Sequence, residues 1–234
     1  MADRPKRPRR TLTRRQKLLR DALLLPFLLA VLLIVLDFPS LSLELTRQAT
    51  ERRHLFGPGE VILSVPASDL FADGEGRFDR YYVVRWGDWY ALEAVHRPGL
   101  SWEPGVLWAV EGNDPSRLLI PLHSGSNLTA QEELDALAII CKDPEITEVE
   151  ILYPVGASNA RGFSLVCARL TGQENGCFLF PCTFRYVPPA DSVLCRGYAA
   201  DGTLLYSSPV PDCWESRYGL SLGVTPVPFE ELYD

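Results

Sequence analysis

The residues best placed to do chemistry in this 234-residue chain are aromatic. Trp86, Trp89, Trp102 and Trp108 fall close together and are joined by Tyr81, Tyr82 and Tyr90. If exposed, Trp86, Trp89, Tyr90 and Trp102 would make a ligand-binding platform for a sugar ring or a partner surface. Aromatic side chains offer large contact area with few rotors. The commoner reading of such a cluster is that the rings build the core of a small β domain.

Ionisable residues point to no reaction. His54, His96 and His123 are scattered, and the chain has no H-E-x-x-H, no G-x-S-x-G and no phosphate loop. No catalytic residue is assigned, and no metal or cofactor is expected. The acids in DGEGRFD alternate as in a calcium loop, but Arg77 stands where a ligand oxygen is needed and no glutamate closes the loop. The six cysteines are Cys141, Cys167, Cys177, Cys182, Cys195 and Cys213, and their spacing is not that of a zinc site. Asn127-Leu128-Thr129 is a glycosylation sequon.

One apolar run, ALLLPFLLAVLLIVL from Ala22 to Leu36, must position everything else. Extended to residues 18–38 it would rise about 31 Å as a helix, enough for a bilayer core. Arg20 would snorkel to the headgroups. Pro26 falls near the start of the run, where a missing N–H costs least. Residues 1–20 hold nine Lys/Arg and one acid, leaving 14 basic against 29 acidic side chains in the remainder. Basic flanks stay cytoplasmic, so the expectation is an uncleaved type II signal anchor with the carboxyl-terminal part outside. A cleaved signal peptide is the rival reading, but no Ala-x-Ala follows the run. The basic tail needs no nucleic acid to explain it.

Beyond the anchor, residues 43–56 read as a helical stalk with Leu41, Leu45, Ala49 and Leu55 near one face and Arg47 and Glu51 paired. Gly57-Pro58-Gly59 stops it. Strands are predicted over 60–65, 80–86, 89–97, 106–110, 117–122, 136–141, 146–153, 162–170, 177–186, 192–199 and 203–207. Trp86-Gly87-Asp88-Trp89 predicts a two-residue hairpin with a II′ turn, setting Trp86 opposite Trp89, Val84 opposite Ala91 and Tyr82 opposite Glu93. Residues 209–234 read as a Pro-rich acidic tail.

The fold class expected is mainly β: a transmembrane helix, a stalk, a small β-meander or barrel unit over 58–123, and a β-sandwich unit over 124–208. A basic tail, one anchor and an acidic β-rich ectodomain, with phrases such as DPEITEVEILYP and RGYAADGTLLYSS, resemble uncharacterised single-pass surface proteins of Gram-positive bacteria with immunoglobulin-like sandwiches. The resemblance implies a fold style and no catalytic residues. Cys141 and Cys195, on two predicted strands, resemble the inter-sheet disulfide of immunoglobulin domains, although no corner tyrosine precedes Cys195. Two function classes follow. One is a surface module that binds a cell-envelope polymer or another membrane protein. The other is an extracytoplasmic enzyme on wall polymers, where a glycosidase would need two carboxyls facing one cleft.

Overall fold

A computed structural model of the protein describes residues 13–35, 40, 42–71, 78–99, 101–123, 133–156, 163–171, 174–184, 190–220 and 224–228. The first twelve residues, Leu36, Leu41, the acidic loop at 72–77 and the Asn127 sequon lie outside the described residues. The chain divides into two compact units, Met1–Pro39 and Ser40–Asp234.

The first unit contains α1 (Arg14–Val35), with Pro26 inside it. Leu23, Leu25, Phe27 and Leu28 are exposed along it. Among the described residues no helix is long and apolar enough to cross a membrane, so the expected transmembrane span is not shown. The opening turns of α1 carry Arg14, Arg15, Lys17, Arg20 and Asp21, and the apolar stretch from Ala22 to Val35 alone rises about 21 Å.

The second unit is mainly β, as expected. It begins with α2 (Leu43–Arg53), where Ser42 caps the first turn by accepting from the Leu45 N–H. Four strands follow as an antiparallel meander: β1 (Glu60–Pro66), β2 (Arg80–Trp86), β3 (Trp89–His96) and β4 (Glu103–Glu111), with the one-turn α3 (Ala67–Leu70) after β1. The β2–β3 register is the one the turn chemistry predicts, Trp86 facing Trp89, Val84 facing Ala91 and Tyr82 facing Glu93. Gly87 takes φ 59° while Asp88 stays out of the left-handed region, as a II′ turn requires. The β3–β4 ladder slips between Ala94 and Val95, opposite Gly105. A Cβ on Gly105 would meet the Ala94 carbonyl oxygen at 2.1 Å, so only glycine fits the bulge.

A three-stranded sheet comprises β5 (Leu119–His123), β6 (Glu133–Cys141) and β9 (Cys177–Phe184), in the order β5-β6-β9. A five-stranded sheet comprises β7 (Glu148–Gly156), β8 (Phe163–Thr171), β10 (Leu194–Tyr198), β11 (Leu204–Ser207) and β12 (Val227–Pro228), in the order β11-β10-β7-β8-β12. The last pair, β12 with β8, is parallel.

Alternation along β6 shows how the sheets stack. Leu137, Ile139 and Cys141 join Val149, Ile151, Tyr153, Val166 and Cys195 in one core, which makes a sandwich of the three- and five-stranded sheets. Ala136, Ala138 and Ile140 face the other way and join Leu63, Tyr81, Val83, Leu92 and Ala94 of the meander. The three-stranded sheet is thus covered on both faces, and its central strand reads as the unbroken apolar run ALAII. The meander and the three-stranded sheet share a core through these residues. Helices cap the outer faces: α2 lies over Val84, Ala91 and Leu107 of the meander, and α4 (Cys213–Tyr218) places Trp214 and Tyr218 on Leu152, Leu165 and Leu194.

One expectation needs correction. The helix at 43–53 is not a free stalk, because it packs on β3 and β4. Its buried residues are Thr46, Arg47, Thr50 and Glu51, whereas Leu45 is exposed. The periodicity of leucine and alanine misleads here because the sheet beneath offers a carboxyl, Glu93, which calls for polar neighbours. The segment after residue 209, expected as a partly ordered Pro-rich tail, contributes α4 and β12; the Trp214 Nε1–H donates to the Ser192 carbonyl (2.7 Å).

Candidate functional site

The meander has two faces, and strand alternation decides which predicted aromatic residues can act together. Trp86 and Trp89 close the hairpin on the outer face, the face bearing Tyr82, Val84, Ala91 and Glu93. Each is more than two-fifths exposed, 44% and 42%. The Trp86 ring meets Phe56 edge-on, with centroids 5.6 Å apart. Phe56 is delivered by the chain leaving α2, where Leu55 adopts φ 55° and is 90% exposed. Glu111 faces Trp89 across the β3–β4 ladder and accepts from the Asn113 amide (2.6 Å).

The other two aromatic candidates lie elsewhere. Tyr90 belongs to the inner face, with the Arg85 guanidinium 5.8 Å from its ring centroid, and lines a separate cleft. Trp102 lies beyond the far end of β4, bridged to Ser40 through its N–H (2.8 Å) and covered by Arg97 at 5.3 Å. Trp108 belongs to the inner face and is 41% exposed, its ring meeting His123 edge-on with centroids 5.4 Å apart. The four candidate residues therefore supply one pair, Trp86 with Trp89, and two isolated rings.

Beneath α2 lies a buried polar cluster. The Arg47 guanidinium donates to Glu51 Oε1, to both Glu44 oxygens and to the Gly59 carbonyl; the Glu51 carboxylate also accepts from the Gly59 N–H (3.0 Å). Glu93 is fully buried and neither of its oxygens meets a hydrogen-bond partner among the described residues. Thr50 contributes no proton to it, because its hydroxyl donates to the Thr46 carbonyl (3.1 Å). Burial, and then the Glu51 carboxylate, push the Glu93 carboxyl up to about 9, so it is held as a neutral acid. Strand alternation carried this signal: Glu93 shares a face with Ala91 and Val95.

The remaining titratable groups do not converge. His54 ends α2, and the His96 Nδ1 lies 3.0 Å from Asp79 Oδ2. His123 is buried with both ring nitrogens unpartnered among the described residues, and burial lowers its imidazole pKa. No group of three or more His, Cys, Asp or Glu that could hold a metal occurs among the described residues. Cys141 and Cys195 share the sandwich core as free thiols, so the inter-sheet bridge is not formed in this structure. Burial pushes the Cys195 thiol up to about 12, leaving an apolar, unreactive group.

Residues 39–218 match a protein family described as domain of unknown function (DUF5044). The match makes no reference to bacterial surface proteins. No curated protein and no solved structure matches the chain.

Proposed function

The chain belongs to the DUF5044 family, and on that premise we propose that it is a membrane-anchored, extracytoplasmic binding module whose contact surface is the Trp86–Trp89 end of the meander. The observation that carries this reading is the half-exposure of two tryptophans in fixed register. Large half-exposed rings beside polar groups suit contact with a ligand. Indole faces pack on the C–H faces of sugar rings, and Glu111 and Asn113 alongside supply hydroxyl partners. The occupant is a polysaccharide of the cell envelope.

Location rests on α1. Its 22 residues rise about 33 Å, and the apolar sequence continues to Leu36. The charge step across it favours a cytoplasmic amino terminus, a single-pass type II arrangement and contact with the bilayer through the run from Ala22 to Leu36. The resemblance to single-pass surface proteins agrees with that arrangement. A glycosidase is the weaker reading. Glu51 and Glu93 are buried under α2, and the cleft beside Tyr90 has Glu60 as its one carboxylate among the described residues.

The test is retention of the full chain, in detergent, on isolated envelope material. Trp86→Ala with Trp89→Ala is expected to lower retention at least tenfold while the protein still melts cooperatively. Digesting the envelope polysaccharide should abolish retention of the unmutated chain. Undiminished retention by the double variant overturns the reading; retention that survives digestion points to a membrane protein instead.

A further inference from the structure

On the inner face of the meander, β1, β2 and β3 meet the end of β6 and the turn before β9 around a cleft of about 560 Å³. That volume suits a small molecule. One wall is a cross-strand row in which Glu60 faces Arg85 and Arg85 faces Tyr90. Lys142 lines the opposite side.

Among the described residues neither cation is in a carboxylate ion pair, although the Asp114 carboxylate lies near enough to feel the Lys142 charge. Arg85 spends its Nε–H on the Gly87 carbonyl (3.1 Å), stands over Tyr90, and makes no ion pair with Glu60, its cross-strand neighbour. Lys142 has its ammonium fixed by the Gly112 and Asp114 carbonyls, at 2.6 and 2.8 Å. Two carbonyls position that charge without neutralising it. The Asp114 side chain is turned to the Ser116 N–H and hydroxyl, at 2.8 and 2.6 Å. The Asn175 amide ties the β8–β9 turn to the Ile62 carbonyl (3.0 Å), so the two walls are joined. Val61, Ile62 and Ile140 add apolar lining. Cys177 is buried and burial pushes its thiol up to about 12, so it forms part of the wall as a neutral thiol.

We infer that this cleft binds a small monocarboxylate with an apolar body, the carboxylate held between Arg85 and Lys142 and the body against Tyr90 and the aliphatic wall. The Glu60 carboxylate at the rim disfavours polyanions. The site is independent of the Trp86–Trp89 surface, which occupies the other face of the same strands.

Titration calorimetry and melting of the full chain in detergent test it, with phenylacetate and hexanoate as probes and phenylacetamide as the neutral control. Expected are saturable binding of at least one carboxylate with a raised Tm, at least tenfold weaker binding of the amide, and at least tenfold loss in Arg85→Gln. Lys142→Gln should lose binding too, but it also frees two carbonyls, so Arg85→Gln is the variant whose fold is expected intact. Trp86→Ala with Trp89→Ala should bind the probes normally. No saturable binding of either carboxylate, equal binding of the amide, or undiminished binding in a folded Arg85→Gln protein overturns the inference.

Discussion

Arg47 and Glu93 are both buried at the interface of α2 with the meander, yet they do not pair. The guanidinium gives its hydrogen bonds to Glu44, Glu51 and the Gly59 carbonyl, and Glu93 is left without a partner among the described residues. One cation thus serves two carboxylates on its own helix, and the third carboxyl stays buried by keeping its proton.

Stability should therefore fall with rising pH in the neutral to alkaline range. The folded-state pKa of Glu93, about 9, lies above its ordinary value of 4.5, so its contribution is complete below that ordinary value and is lost as pH climbs through 9. His123 acts in the opposite sense: its imidazole is held below 6.5, so its contribution is present above that value and lost on acidification. Urea unfolding between about pH 7 and 9 isolates Glu93, with a slope of at most roughly 1.4 kcal/mol per pH unit. Glu93→Gln should flatten that slope; an unchanged slope would show that the carboxyl is ionised in the folded protein.

Arg47→Met should destabilise by about 3–5 kcal/mol at neutral pH, because it strands the Glu51 carboxylate in the interface. Adding Glu51→Gln should recover part of the loss. Denaturant midpoints of the two variants decide it, and equal midpoints would mean that Glu51 gains water when Arg47 is removed.

Trp86→Ala should cost roughly 1–3 kcal/mol, more than Trp89→Ala, because Trp86 also packs on Phe56. The double variant should lose less than the sum of the singles, since the pair term is counted once. Strict additivity in melting would mean that the two rings share register without touching.

Trp214→Phe should cost about 1 kcal/mol for the lost hydrogen bond to Ser192, and Trp214→Ala about 3–5 kcal/mol for the emptied site. Thermal melting measures both. Native stability in the alanine variant would show that α4 contributes nothing to the fold.

The full chain should sediment with membranes and resist extraction by alkaline carbonate, with residues beyond 40 cut by protease added outside intact cells. A soluble product beginning near residue 40 would mean that the apolar run is a cleaved signal.

The strand ladder was legible in the sequence because local chemistry specifies it. Gly87-Asp88 admits one turn geometry, that geometry sets Trp86 against Trp89, and period-two alternation then carries the register along both strands. The unbroken apolar run in β6 suits two buried faces, but which sheet covers each face is a matter of long-range packing. The stacking of three sheets was therefore decided only in three dimensions. So was the orientation of α2. Its leucines suggested one buried face, whereas the tertiary structure buries Thr46, Arg47, Thr50 and Glu51 against the sheet that carries Glu93. Sequence placed Trp86, Trp89, Tyr90 and Trp102 in one short stretch, yet strand alternation and the length of β4 leave just the first two together. Arg85 and Lys142 are 57 positions apart, and nothing in either local pattern announced a shared cleft. Residue types and turns fix what lies next to what along a strand; the burial of remote surfaces against each other decides which of those groups meet across the fold.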